Sequence, residues 1–264
     1  MARPRTRSRI EDHHAEWLSL VETSGPFLTV PTLKRALPNG LEATPSAMSA
    51  LRIAHAEWRE DPGLQARWVR WVLDDVLELR DAARPATDAD PSHRVAEQGV
   101  TLRPSFVVRD ATQENALAVL LVHRYPAGTS LDRPVPGEAW AASPIDRAAE
   151  LARASEVELA LVTDGSRWTM VWARRGETTG TCTLRTELWL EEPVTLRAFA
   201  TLLGARRVAR VRPPRPTGPP SRRSPARSSS RSSPTARAGP WCGRDAGRRR
   251  ERARGAPSSG SRSP

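Results

Sequence analysis

Apolar residues recur along this chain with two periods, helical in the first part and strand-like in the second, with a polar stretch between them. From Glu11 to about Arg80 the apolar positions lie three, four and seven residues apart, the spacing of amphipathic helices. Asp12 is placed to cap a helix carrying Trp17, Leu20 and Val21, and Thr44-Pro45 to open another through Met48, Leu51, Ile53 and Trp58. Asp61-Pro62 opens a third helix carrying Leu64, Trp68, Trp71, Val72 and Leu79. Gly25 to Pro31 reads as a short extended element, and Pro38-Asn39-Gly40 as a turn. Tryptophans at helical spacing form a packing stripe far more often than a platform for stacked bases.

Beyond Gln98 the runs shorten and take on β-branched residues. Leu102 to Val108 and Ala116 to His123 read as two strands, and Pro126 to Gly137 as a loop. Ser143-Pro144-Ile145-Asp146 is a helix start, with a capping serine, proline at the first helical position and an acid three residues after the cap. Glu158 to Thr163 is a mostly apolar strand. Asp164-Gly165 supplies a tight turn, and Arg167 to Ala173 returns with Trp168, Met170 and Trp172 on one face. Thr181 to Leu190 reads as a further strand, and Glu192-Pro193 opens a last helix that Gly204 ends.

The pattern stops there. Residues 208–264 contain 15 Arg, 10 Pro and 11 Ser against Asp245 and Glu251, and no Leu, Ile, Phe, Met, Tyr or Lys. So little apolar surface cannot offset the entropy of ordering the segment, and a disordered tail is expected. The formal charge of the whole chain is +11; the tail supplies +13 of it, leaving −2 for residues 1–207. The basic balance that usually points to nucleic acid therefore says nothing of the folded part. One lysine, Lys34, stands against 40 arginines, a bias of GC-rich coding sequence in which a wrong reading frame also yields long Arg/Pro/Ser runs. The tail is read as an out-of-frame or truncated end; the alternative is a basic tail whose Arg-Ser stretch, Ser221 to Pro234, binds phosphates by counterion release. Cys182 and Cys242 form no disulfide framework, and there is neither a signal-peptide pattern nor a run of 18 apolar residues, so a cytoplasmic chain without membrane partners is expected.

Ser143-Pro144-Ile145-Asp146-Arg147-Ala148-Ala149-Glu150-Leu151, followed by Leu159 to Trp168 with its Thr163-Asp164-Gly165 turn, resembles the front end of large adenine-specific DNA methyltransferases. These belong to type IIG restriction enzymes and to phage-defence systems of the BREX and DISARM kind. Leu188-Trp189, Glu192 to Phe199 and Leu202 to Arg207 extend the resemblance, which spans most of residues 11–207. The chain is read as α/β, with a basic start (1–10), a helical subdomain (11–82), a linker (83–99) and a domain (100–207) with a small mixed sheet flanked by helices, which the resemblance implies is a degenerate restriction-nuclease-like domain. The resemblance also implies DNA as a partner, together with the missing methyltransferase domain or other defence-system subunits, and S-adenosylmethionine as the cofactor of the full-length family.

This chain has neither the glycine-containing cofactor loop nor the Asn/Asp-Pro-Pro-Tyr/Phe motif of that family, so no cofactor is expected on it. The nuclease-like fold needs an Asp on one strand and an acid-x-Lys on the next to hold and use Mg²⁺. Here Pro104-Ser105 falls where a Pro-Asp would sit, and Val119 to His123 carries neither acid nor lysine. Catalytic residues are therefore expected to be absent. Asp110 and Glu114 are weak metal candidates, and Arg147, Arg153, Arg167, Arg174 and Arg175 weak candidates for phosphate contact. The histidines lack the spacing of a helical metal pair. The expected function is a non-catalytic N-terminal fragment that positions DNA or a partner domain; the alternatives are a nucleic-acid-binding protein acting through its tail and a metal-dependent nuclease.

Overall fold

The structure, a computed structural model, describes residues 9–25, 27–43, 48–109 and 117–205. The chain divides into two units, Met1–Arg215 and Pro216–Pro264, and all described residues lie in the first. Asp110, Glu114 and the tail lie outside the described residues, as does the Thr44-Pro45 helix start.

The described residues form a mixed α/β fold around one mixed sheet. Its helices are α1 (Arg9–Leu18), α2 (Val30–Ala36), α3 (Met48–Glu60) and α4 (Gln65–Trp71), then α5 (Pro144–Ala154), α6 (Thr186–Glu191) and α7 (Pro193–Leu203). The strands are β1 (Glu22–Ser24), β2 (Ala83–Pro85), β3 (His93–Val95), β4 (Val100–Leu102), β5 (Phe106–Arg109), β6 (Ala118–Arg124), β7 (Leu159–Thr163), β8 (Arg167–Trp172) and β9 (Gly180–Arg185). Seven strands run in the order β1-β9-β8-β7-β6-β5-β2, while β3 and β4 make a separate pair. Only β6 and β7 are parallel within the seven-stranded sheet, and α5 connects them. A crossover of this kind is what parallel neighbours require.

Period-two alternation sends successive side chains of the sheet to opposite faces. Leu120, Val122, Leu161, Trp168, Met170, Cys182 and Leu184 meet α3, α4, α6 and α7 on one face, through Trp58, Trp68, Trp189 and Phe199. On the other face, Leu121, Ala160, Val162 and Val171 meet the small residues Ala148, Ala149 and Ala152 of α5. The α1–α2 pair lies outside α7, with Trp17, Leu33, Leu37 and Leu41 around Ala198. His14 is buried there: Trp17 Nε1 donates to its Nδ1 at 3.2 Å, which leaves Nε2 as the nitrogen that donates to the Leu37 carbonyl.

Local signals match at the helix starts. Ser143 and Asp146 form a reciprocal capping box, Asp61 caps the turn Pro62–Leu64 that leads into α4, and Pro193 opens α7. Several elements differ from the sequence reading. Helix α1 starts at Arg9, so Asp12 lies in its first turn rather than at its cap. The described residues of the stretch 25–31 form no strand: β1 precedes them, and α2 begins at Val30 after the capping Thr29. Leu102 to Val108 splits at Arg103-Pro104-Ser105 into β4 and β5, and Thr181 to Leu190 splits into β9 and α6. The third helix passes at Val72–Val76 into a π-helical turn, so it does not run on to Leu79. Residues 83–99, read as a linker, contribute β2 and β3.

Candidate functional site

In parallel α/β arrangements the carboxyl ends of the strands are where loops and helix ends gather polar groups around a ligand. At the carboxyl ends of β6 and β7 this chain gathers Gln65, Ser105, Arg124, Thr163, Asp164 and Arg167. Gln65 opens α4 on the same stripe as Trp68 and Val69, and it is buried. Its amide donates to the carbonyls of Tyr125 and Asp164, at 2.7 Å each, and its own oxygen accepts from Arg124 Nη1 at 3.1 Å. One helix residue thus ties the ends of the two parallel strands together.

The Asp164-Gly165 turn is held as firmly. Thr163 Oγ1 accepts from Gly165 N, and Asp164 Oδ1 accepts from the backbone of Ser166 and Arg167. Asp164 Oδ2 receives Arg167 Nη2 at 3.3 Å, and the same nitrogen donates to the Thr129 carbonyl. The indoles of Trp68 and Trp168 both donate to the Gly165 carbonyl, at 2.8 and 3.2 Å. A carboxylate whose oxygens are committed to turn amides and an arginine orients backbone; it is not free to take a proton from a substrate.

Ser105 lies beside β6. Its backbone N–H donates to the Val122 carbonyl at 2.7 Å, and its hydroxyl accepts from Arg124 N at 3.0 Å. The serine is thus bonded to the β6 segment Leu121-Val122-His123, which carries neither acid nor lysine. His123 is buried, its Nε2 has no hydrogen-bond partner among the described residues, and burial pushes its pKa down to about 4, so the ring is neutral. Burial raises the Tyr125 phenol. Among the described residues no group of three or more His, Cys, Asp or Glu side chains is arranged to hold a metal ion.

The five candidate arginines do not form one surface. Arg153 Nε donates to the Arg174 carbonyl and Arg175 Nε to the Arg153 carbonyl, so these three gather at the end of α5. Glutamates offset their charge: Arg174 pairs with Glu158 and Glu177, and Arg175 with Glu156. Arg167 lies at the opposite end of β8, in the turn network. Arg147 is buried under the loop before α5, where it packs 5.6 Å from the Trp140 ring centroid and pairs with Glu138. Arg124, exposed and without a carboxylate partner among the described residues, was not singled out by the sequence. A polar residue on an otherwise apolar helical stripe was the available signal for Gln65.

Asp90 makes a second polar centre, at the β2 edge. Its side chain is fully buried and accepts from Arg84, Arg109 and both the amide and hydroxyl of Thr87. Burial works against its charge, but these bonds prevail and hold the carboxyl well below the usual range. Its partners among the described residues lie on β2, in the turn after it and on β5, so the centre fixes the path from β2 towards β3.

No helix among the described residues is long and apolar enough to cross a membrane. No family model matches the chain, and comparison with curated proteins and with solved structures gives no match.

Proposed function

We propose that this chain is the N-terminal, non-catalytic module of a DNA modification or restriction protein, a degenerate nuclease-like domain that positions DNA or the methyltransferase part of the protein. One observation carries the reading. Ser105 is hydrogen-bonded to β6 beside Leu121-Val122-His123, and this hydroxyl, apolar pair and neutral imidazole, with no acid or lysine among them, support the reading of a nuclease-like domain without its metal site. The antiparallel β5–β6 pair, the α5 crossover and the parallel β7 suit such a domain, and the exposed Arg124 at the strand ends suits an anionic backbone rather than a reaction. In this proposal adenine methylation, with S-adenosylmethionine, is the work of the methyltransferase part that the module serves.

Fluorescence anisotropy of labelled duplex DNA against residues 1–207, beside the full chain, tests the reading. Residues 1–207 bind without cutting, and binding weakens about tenfold between ~50 and ~200 mM salt, as about two phosphate contacts require. Arg124→Ala removes much of that salt dependence. Binding that resides in residues 208–264 alone moves the function to the tail, and Mg²⁺-dependent cleavage lost in Asp110→Ala makes the chain a nuclease. Residues 1–207 binding neither DNA nor a methyltransferase domain overturns the proposal.

A further inference from the structure

Arg124 closes β6, and the group that holds its side chain is neutral. Gln65 Nε2 donates to the Tyr125 and Asp164 carbonyls at 2.7 Å each, which fixes the orientation of the amide and leaves Oε1 to accept Arg124 Nη1 at 3.1 Å. The glutamine is 6% exposed, so the core sets this pose. A carboxylate in its place would cancel the arginine's charge, whereas an amide oxygen directs the guanidinium and leaves the charge whole. Asp164 does not cancel it either, since its carboxylate is taken by turn amides and Arg167. With Nη1 engaged, the Nε and Nη2 edge of Arg124 keeps two parallel N–H donors that make no bond among the described residues. Ser105 Oγ, which accepts from the Arg124 amide at 3.0 Å, also has no acceptor there for its own hydrogen.

We infer that Gln65 and Arg124 form a phosphate-binding clasp, in which Arg124 takes two oxygens of one phosphate group on its Nε and Nη2 edge and Gln65 is the positioning residue that presents it. The planar fork of an arginine matches paired phosphate oxygens. Immobilising a free arginine would cost part of the gain, and here the side chain is ordered before the ligand arrives. The source of the phosphate rests on the DNA reading: it is one phosphodiester of the backbone, held without regard to sequence.

Nitrogen-15 labelling of the arginines in the full chain tests this. The Nε–H resonance of Arg124, identified by its loss in Arg124→Lys, reports this site alone, whatever residues 208–264 bind. A short DNA duplex added at ~0.05 M salt shifts that resonance to saturation. Gln65→Leu moves it to the position of unfixed arginines and weakens the binding read there roughly 3- to 10-fold, the cost of immobilising one side chain. Unchanged backbone amides of α5 show that the variant is folded. Should it not fold, the Gln65 side-chain amide resonances of the parent carry the test, because they must move together with Arg124 during the titration. A shift with inorganic phosphate and none with the duplex keeps the clasp and overturns DNA as its source. An Arg124 resonance that answers neither probe overturns the clasp, while duplex-induced shifts elsewhere in residues 9–205 show that the DNA reading survives. Binding and resonance unchanged in Gln65→Leu overturn the role of Gln65.

Discussion

Gly165 has a backbone φ of +93°, and a Cβ built on it would stand 2.8 Å from Trp58 Cζ2. Both facts bear on one substitution. Gly165→Ala forces a side chain into the left-handed region and pushes on the Trp58 indole, which is stacked on Trp68, for a combined cost of about 3 kcal/mol. Urea denaturation followed by tryptophan fluorescence reads the loss, and an unchanged midpoint refutes the account. His123 is the other residue with a measurable signature. Its folded pKa of about 4 lies below the ordinary histidine value of 6.5, so the folded state binds fewer protons than the unfolded chain between those limits. Stability is therefore complete above about pH 6.5 and falls towards pH 4, by about 3 kcal/mol in all. His123→Leu flattens that part of the profile while the contributions of the carboxylates remain.

Among the elements, those that local chemistry specifies were legible in the sequence. The Ser143 box, the Asp61 cap, the Asp164-Gly165 turn and the Pro193 start each lie within a few residues of what they control. The three-residue strands were not legible. β1 exists because Thr23 pairs with Cys182, and β2 because Arg84 pairs with Val107, partners that lie far along the chain. The change from β9 to α6 hides for a similar reason. Leu188-Trp189-Leu190 is a short apolar run that extends the strand pattern, yet Thr186 is bonded to the Ser166 carbonyl, and helical winding sends Trp189 to Phe199, 4.7 Å between centroids. The site follows the same rule: Gln65 could be placed on a helix from the sequence, but its two carbonyl partners, Tyr125 and Asp164, follow the ends of β6 and β7, 60 and 99 residues away. Gln65→Leu leaves those buried carbonyls short of a donor, so α4 is destabilised against the sheet by about 2 kcal/mol. Hydrogen exchange reads this as faster opening of α4 amides than of α5 amides. Equal protection in the variant and the parent counts against the tether.

For the folded unit as a whole, the core leaves no seam between α3 and α4 and the sheet. Trp58 and Trp68 share one cluster with Leu161, Met170 and Phe199, and the Trp68 indole donates into the β7–β8 turn. Residues 1–207 are accordingly expected to unfold in one transition, with far-ultraviolet circular dichroism and tryptophan fluorescence superimposed. Two separated transitions would assign the helices to a unit of their own. The charge division read from the sequence acts at this scale too, since a body of −2 joined to a tail of +13 makes the salt response of the full chain differ from that of the body.

The margins of the seven-stranded sheet decide how copies can meet. At one margin β1 is three residues long, with Glu22 held by Arg185; at the other, β2 ends in Pro85, which has no amide hydrogen to give. Blunt margins deny an incoming strand the row of unpaired backbone groups from which fibrils grow. Crowding this protein therefore favours contacts through its helices over growth by added strands.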